Sequence, residues 1–329
     1  MQNYQNTPLL LSVYYGIMWS TKAGKRKNPA TTKERGKTMT ITEEQMANRT
    51  FGCELEYEGI SQATAAKTVA EVTGGTARYE GCHLSNWVVT MPDGRKWQVV
   101  SDGSLCGTSA EVVTPILRYA DLETLQEVVR ALRRAGAKAN ARTGLHVHVG
   151  AADFTPTEIK NLVRTFYKQE TLILKAAGTL ETRIARYTRT TDHAFVDKIC
   201  MMRNPTMEAI NKAWFGRYNP HPYHYDDHRY RALNLNNLWD SKRTIEYRFF
   251  NGTTHAGAVK AAVQLSLLIA IRAKLAKASS AKNPRPYDER NAKYDFRVFL
   301  LRLGANGPLF KTMRKLLTRN LPGSSAWHR

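Results

Sequence analysis

Hydrophobic and polar positions alternate in short runs at several places after residue 50. Successive side chains of a strand face opposite sides, so such alternation predicts strands. Two of the runs are joined by Pro92-Asp93-Gly94, a turn signal that predicts a hairpin. The predicted strands span residues 51–60, 76–79, 87–90, 97–101, 111–116, 145–149 and 244–249.

Apolar residues at helical spacing occupy much of the remaining chain. One such segment opens at Thr155-Pro156, a favoured cap and first-turn pair. Residues 203–228 are rich in Pro, Asn, His and Tyr, and predict a long loop or lid around one short helix. The predicted helices span residues 61–73, 122–135, 156–177, 256–277, 288–303 and 308–319.

The order of these elements predicts an α+β fold with an antiparallel sheet. Strands lie close together in the sequence and helices are grouped between and after them, whereas a doubly wound fold would alternate the two. The chain also contains no G-x-x-x-x-G-K-[ST] and no G-x-G-x-x-G after a strand. Nucleotide binding would therefore need an architecture other than a P-loop or a Rossmann turn.

Composition excludes some classes of protein. The chain has 329 residues, of which 42% are hydrophobic, enough for a core and against wholesale disorder. We find no stretch that approaches the roughly 20 apolar residues of a membrane span. Cys53, Cys82, Cys106 and Cys200 lack CxxC spacing and predict neither a disulfide framework nor a zinc ribbon. A cytoplasmic location is expected.

The net charge of +21 is unevenly distributed. Residues 51–128 carry −6, while residues 1–50, 129–280 and 281–329 carry +5, +14 and +8. A basic protein with an acidic island is compatible with nucleic-acid binding, or with an enzyme for a phosphorylated substrate whose acidic residues hold metal ions. A basic surface without a specific partner fits equally well.

Four short segments carry candidate chemistry. The strand at 51–58 places Glu54, Glu56 and Glu58 on one face, where they repel one another unless a cation lies over them. Mg²⁺ or Mn²⁺ suits carboxylate oxygens, although a solvated acidic edge strand gives the same pattern. The segment 144–150 contains two histidines on one strand face, at His146 and His148.

The third segment, Arg243-Thr244-Ile245-Glu246-Tyr247-Arg248, places a carboxylate and a guanidinium on one face, which a plain cross-strand ion pair would also do. Asp102-Gly103-Ser104 precedes Glu111, on a strand expected near the first one. Each signal is weak alone, but together they supply metal ligands and phosphate-neutralising groups. That combination favours phosphoryl transfer without covalent chemistry by the protein.

These motifs, in this order, resemble the amidoligase family of the glutamine synthetase and glutamate–cysteine ligase superfamily. The resemblance rests on Phe-Gly-x-Glu-x-Glu at Phe51, on Asp102-Gly103-Ser104 with Glu111-Val-Val-Thr-Pro, on Gly-Leu-His-Val-His at Gly144, and on Arg-Thr-Ile-Glu-Tyr-Arg-Phe at Arg243. It implies a glutamine-synthetase-like antiparallel sheet that forms a catalytic half-barrel flanked by helices. It also implies ATP- and Mg²⁺- (or Mn²⁺-) dependent ligation of a carboxylate to an amine through an acyl phosphate.

The resemblance further implies roles for individual residues. The implied metal ligands are Glu54, Glu56, Glu111, His146 and Glu246. The implied contacts to nucleotide phosphate are His148 and, from the loop before Leu233-Asn234-Leu235, Arg229 or Arg231. Glu246 and the adjacent Arg248, which would bind phosphate or substrate, form the implied catalytic pair.

The motifs run from Phe51 to about Leu268 and suggest three regions. We expect a basic, disordered tail over residues 1–50, an amidoligase catalytic domain over 51–278, and a basic helical extension over 279–329 packed on that domain. The expected partners are small-molecule or peptide carboxylate and amine substrates.

Two alternatives stay open from the sequence. The net charge, with basic helices and tyrosines among basic residues, also suits a nucleic-acid-binding or nucleic-acid-modifying protein. A metal-dependent hydrolase would use the same histidines and carboxylates, but it lacks a third histidine and has no need of the 243–248 segment.

Overall fold

Eight strands form one antiparallel sheet in the computed structural model, which describes residues 40–81, 86–223, 225–278 and 283–328. Their order across the sheet is β2-β3-β4-β5-β1-β6-β8-β7, so β1 lies in the middle between β5 and β6. The strands are β1 (Phe51–Glu58), β2 (Thr76–Gly81), β3 (Asn86–Thr90), β4 (Lys96–Val100), β5 (Ser109–Val113), β6 (Gly144–Gly150), β7 (Leu233–Asn234) and β8 (Thr244–Asn251).

Ten α-helices accompany the sheet in the described part of the chain. They are α1 (Glu43–Ala47), α2 (Gln62–Thr73), α3 (Leu122–Arg134), α4 (Pro156–Ala177), α5 (Glu181–Arg186), α6 (His193–Met201), α7 (Met207–Phe215), α8 (Ala256–Leu275), α9 (Ala292–Leu303) and α10 (Lys311–Thr318). The Thr155 side chain caps α4 by accepting from the backbone N–H of Glu158, and the helix ends at Gly178 in a left-handed conformation.

The helices cover one face of the sheet and leave the other to polar residues. Cys53, Leu55 and Tyr57 of β1 are each 1% exposed, and α2, α4 and α8 contact the strands. Because side chains alternate along a strand, Glu54 and Glu56 face the opposite side. The register places Glu54 beside a histidine of β6, which is the basis of the site described below.

The antiparallel α+β architecture predicted from the sequence is confirmed, including the hairpin at Pro92-Asp93-Gly94 between β3 and β4. The half-barrel curvature stays a prediction. The helices α1, α5 and α6 and the two-residue strand β7 were not predicted. They are too short to show a clear period in the sequence.

Helix α8 is the central helix of the core. It is long and apolar enough to cross a membrane, which differs from our expectation that no stretch qualifies. However, 78% of its most apolar window is buried inside the protein, as expected for a core helix. The cytoplasmic location stays a prediction.

The folded unit includes residues that precede β1. Most of the expected tail, residues 1–39, lies outside the described residues, but residues 40–50 pack on the rest of the unit that spans Thr38–Arg329. The N–H of Ile41 donates to the carbonyl of Gly304 at 3.0 Å, and Thr42 caps α1. Ile41 and Met46 are buried in the core at 1% and 0% exposure. Residues 40–50 therefore belong to the folded unit.

The C-terminal helices belong to the same unit. Helix α9 contacts α4 and α8, and α10 contacts α8 and α4. The N–H of Arg285 donates to the carbonyl of Lys168 at 2.8 Å, and the Arg285 guanidinium pairs with Asp295 at 2.8 Å.

Replacement of Met46 tests the contribution of the N-terminal segment. We expect Met46→Ala to lower the free energy of unfolding by about 2–5 kcal/mol, because it removes a fully buried side chain and leaves a cavity. Glu44→Ala, on the exposed side of the same helix, should change it by about 0.5 kcal/mol or less. Urea unfolding measures both. Equal values for the two variants would show that residues 40–50 add nothing to the core.

Candidate functional site

The polar face of the sheet brings together seven residues from four neighbouring strands. The pairing of β1 with β5 and β6, and of β6 with β8, places them across the middle of the sheet. Five of the seven are at most 9% exposed. The seven residues are Glu54, Glu56, Glu111, His146, His148, Glu246 and Arg248.

Glu54 is held between the two histidines of β6. Its Oε2 lies 2.9 Å from Nδ1 of His146, and its Oε1 lies 3.2 Å from Nε2 of His148. Burial alone would raise the pKa of the Glu54 carboxyl. The charge of His148 and the hydrogen bond from His146 outweigh burial and hold this pKa well below its usual range. Glu54 is therefore a carboxylate.

Glu246 is a second buried carboxylate, and it has a dedicated cation. The Arg248 guanidinium donates to its Oε1, and the side-chain amides of Asn234 and Asn237 donate to its Oε2 at 2.6 and 3.4 Å. Burial raises the pKa of Glu246, but the charges of Arg248 and His148 outweigh burial and lower this pKa to about 2. Glu246 thus stays charged although it is buried.

Glu54, His148 and Glu246 form a group that could hold a metal ion. One ligand atom from each lies within 4.8 Å of the other two. Nε2 of His148 is buried and has no hydrogen-bond partner among the described residues, since its approach to Glu54 is not aligned for a hydrogen bond. Two carboxylates and one imidazole are a suitable donor set for a divalent cation.

Both histidines of β6 lie among the carboxylates of the site. His146 was the expected metal ligand, yet its ring nitrogens lie 3.5 Å from Glu56 and 3.6 Å from Glu246, among carboxylates on both sides. His148, expected to face phosphate, belongs to the compact group with Glu54 and Glu246. The geometry therefore favours His148 for the metal, and a metal role for His146 stays a prediction.

Glu56 and Glu111 extend the acidic face. They lie opposite each other in the pairing of β1 with β5, and Oε2 of Glu56 accepts from the backbone N–H of Gly144 at 2.6 Å. Burial and the charges of Glu54, Glu56 and Asp102 raise the pKa of Glu111 well above its usual range. A cation placed between these groups would relieve that repulsion.

The two arginines expected to reach phosphate are separated by the structure. Arg229 lines a pocket of about 150 Å³ together with Glu54, His148 and Glu246. Its guanidinium lies 5.6 Å from the ring centre of Tyr225. Arg231 is not among the residues that line this pocket.

Arg231 instead belongs to a network behind the site. Its guanidinium donates to the carbonyl of Thr190 at 2.7 Å and to Asp192 at 3.3 Å. Next to it, Oε1 of Glu170 accepts from the backbone N–H and the hydroxyl of Thr191, each at 2.9 Å. Burial raises the pKa of Glu170 to about 7, against the lowering effect of the Thr191 hydrogen bonds and of the Arg231 charge.

Three residues of the site were not predicted. Asn234 and Asn237 orient Glu246, and Asn234 lies opposite it in the pairing of β7 with β8. Arg183 of α5 is 2% exposed, donates to the carbonyl of Arg248 at 3.3 Å, and lies where a Cβ at position 144 would be. The glycine at the start of Gly-Leu-His-Val-His could have indicated such a close approach.

The fold and this group of residues define an α+β protein whose open sheet face carries buried carboxylates, imidazoles and a guanidinium. Residues 47–270, more than half of the chain, match the family described as "Putative amidoligase enzyme". The chain belongs to this amidoligase family, which confirms the resemblance inferred from its motifs. Family membership supports an amide-bond-forming ligase.

Comparison with solved structures gives a weak similarity. A bifunctional glutathione synthetase from Pasteurella multocida matches with a TM-score of 0.42 and 12% sequence identity. The match covers 84% of this chain and 48% of that one, so the chain spans about half the length of that protein. None of the curated protein sequences compared with the chain matches it.

Replacement of Glu170 tests the network around Arg231. The pKa of Glu170 is raised from 4.5 in the unfolded chain to about 7 in the folded protein. Between these two pH values the folded protein keeps the proton on Glu170 and the unfolded chain loses it. The free energy of unfolding should therefore fall by up to about 3 kcal/mol between pH 4.5 and 7 on account of this group. Glu170→Gln retains the acceptor oxygen and should remove this part of the pH dependence.

The measurement is urea unfolding at pH 5 and pH 7.5. The control is Glu71→Gln, at an exposed position of α2, which should keep the slope of the unmodified protein. A Glu170→Gln variant with an unchanged slope would mean that the carboxyl is ionised in the folded protein.

Proposed function

We propose that the protein is an ATP- and Mg²⁺- (or Mn²⁺-) dependent carboxylate–amine ligase. Its substrates would be a small-molecule or peptide carboxylate and an amine. The observation that carries the proposal is the group of Glu54, His148 and Glu246 with Arg248 beside it, in a chain of the amidoligase family. The glutamine-synthetase-like half-barrel belongs to the same proposal.

The reaction would have two steps. A carboxylate oxygen of the acceptor bonds to the γ-phosphorus of ATP, and ADP leaves with the electron pair of the broken P–O bond. The amine nitrogen then bonds to the acyl carbon of the resulting acyl phosphate. Inorganic phosphate leaves with the electron pair of the C–O bond, and the nitrogen gives up a proton to complete the amide.

The donor set on the sheet fits a divalent cation. Glu54, His148 and Glu246 would hold it, and Glu56 and Glu111 would extend the set toward a second ion. Such an ion would neutralise charge on the phosphate oxygens. His146 would fix the orientation of Glu54 through their 2.9 Å contact.

Arg248 would stabilise the charge that develops on the transferred phosphoryl group. It is 4% exposed, Glu246 fixes its guanidinium, and its Nε has no hydrogen-bond partner within the described part of the chain. A fixed cation in a site shielded from water contributes more to such stabilisation than a mobile one in solvent. Arg229, on the wall of the adjoining pocket, would contact the nucleotide phosphates.

Nucleic-acid binding is not supported by the family match, and no feature of the described surface favours it over a ligase. Its arguments remain those from the sequence, which are the charge of +21, the basic helices and the tyrosines among basic residues. Some of the basic side chains have acidic partners within the fold, such as Arg49 with Asp153 and Arg189 with Asp227.

Glu54→Gln and Glu246→Gln test the ligase. We expect amine-dependent release of ADP and phosphate, and amide product found by mass spectrometry with a panel of carboxylates and amines, to fall on the order of 100-fold in either variant. Each substitution removes a carboxylate that would bind the metal. Glu127→Gln, at an exposed position of α3, is the matched control and should retain full activity.

A second readout separates metal binding from catalysis. Titration of Mn²⁺, followed by its electron paramagnetic resonance signal, should give weaker binding in both site variants than in the Glu127→Gln control. Circular dichroism shows whether each variant is folded. Turnover of ATP that is equal in all four proteins would refute the proposed site.

A further inference from the structure

A cleft of about 540 Å³ adjoins the candidate metal group and shares Glu54 and His148 with it. It lies where β1 begins and where β5 and β6 end. One wall is apolar and is formed by Pro115, Ile116 and Ala151. Ile116 is 73% exposed, so the apolar wall is open to a ligand.

Cationic side chains line another part of the cleft. Arg118, Lys242 and Arg243 line it, and none of their side chains has an acidic or hydrogen-bonding partner among the described residues. Arg49 also lines the cleft, but its guanidinium is paired with Asp153. The cleft therefore has three uncompensated positive charges beyond its own ion pair.

Lys242 is shared between the cleft and the pocket that contains the metal group. It lines both the cleft and the smaller pocket, where Glu54, His148 and Glu246 also lie. An anion in the cleft would thus extend from the metal group to the arginines.

Arg243 adopts a backbone conformation that is uncommon for its residue type. Its φ is +48°, the one positive value at a non-glycine residue in the described chain. Two backbone hydrogen bonds fix the turn. The N–H of Arg243 donates to the carbonyl of Asp240 at 3.1 Å, and the N–H of Ala151 donates to the carbonyl of Arg243 at 2.8 Å. Strained backbone of this kind is concentrated at ligand sites, where it fixes a side chain.

A second cavity has an aromatic lining and shares Arg243 with the cleft. A cavity of about 560 Å³ is lined by His221, Pro222 and Trp239, and shares Pro222 with the pocket that contains Arg229. Nε1 of Trp239 is buried and lacks a hydrogen-bond partner within the described part of the chain. A nucleobase in the cationic cleft would leave Arg118 and Lys242 unpaired, whereas in this cavity it would contact the rings of His221 and Trp239.

We propose that the cationic cleft binds the acceptor substrate, and that this acceptor carries a second anionic group besides the carboxylate that reacts. The proposal rests on the ligase function proposed above and names its substrate class. The reacting carboxylate lies at the Glu54 and His148 end. The second acidic group pairs with Arg118 and Arg243, and the carbon chain between the two contacts Ile116 and Pro115.

Binding of matched acids to the full chain tests this assignment. The probes are succinate, glutarate, adipate and pimelate, each compared with the monocarboxylate of the same length, by isothermal titration calorimetry with Mg²⁺ and without ATP. At least one diacid should bind 10-fold or more tightly than its monocarboxylate, because only the diacid reaches the arginines.

Two variants locate the second anion. Arg118→Gln and Arg243→Asn should each weaken binding of the preferred diacid at least fivefold and leave the monocarboxylate within twofold. Asn tolerates a positive φ, so the second variant keeps the turn. Arg134→Gln, which removes an exposed charge from α3, is the control and should change neither affinity.

Each other outcome has a definite meaning. Equal affinity for diacids and monocarboxylates, or a preference that both variants retain, refutes the proposal. Weaker binding of a non-hydrolysable ATP analogue in these variants, with diacid binding unchanged, would place the nucleotide in the cleft and also refute it. Diacid binding that depends on the arginines, without amide formation from any amine, would contradict the ligase function and leave the anion preference intact.

Discussion

Repulsion between carboxylates on one face of the sheet is the constraint on which the rest of the structure depends. Glu54, Glu56 and Glu111 lie on neighbouring strands, and Glu246 lies on β8, beyond β6. Buried charges of one sign persist only where cations compensate for them. Arg248 supplies part of that compensation, yet the pKa of Glu111 stays well above its usual range because of burial and the nearby carboxylates. The site therefore contains more acid than its own cations neutralise, which favours a bound divalent ion.

That acidic face depends on a single register of the central strands. In the observed pairing Glu54 lies opposite His146, while Leu55 and Tyr57 pack under the helices. A shift of one residue would turn the carboxylates into the apolar core and expose the aromatic ring, so core packing and site assembly stabilise the same register. Helix α8 lies in that core. Its long apolar sequence, which would also suit a membrane span, is explained by its burial there.

The polar face could be predicted from the sequence because alternation along a strand is a local property. Contacts made by loops and distant helices are not local. Asn234 meets Glu246 only through a two-residue strand, and Arg183 arrives from a separate helix. Arg229 and Arg231 are two residues apart, as neighbours on one strand face would be, but they lie outside a regular strand. One lines the pocket and the other bonds to the segment before α6.

The net charge of the chain is informative only where burial and pairing are known. Surface charges are screened over about 8–10 Å at physiological salt, so distant basic residues contribute little at the metal group. Arg248 and Arg183 act within the site because they are buried, and Arg118 and Arg243 because they line a cleft that adjoins it. Arg118 even belongs to the segment whose sum is −6. The fold thus brings cations from segments of opposite net charge to the cleft beside the acidic centre.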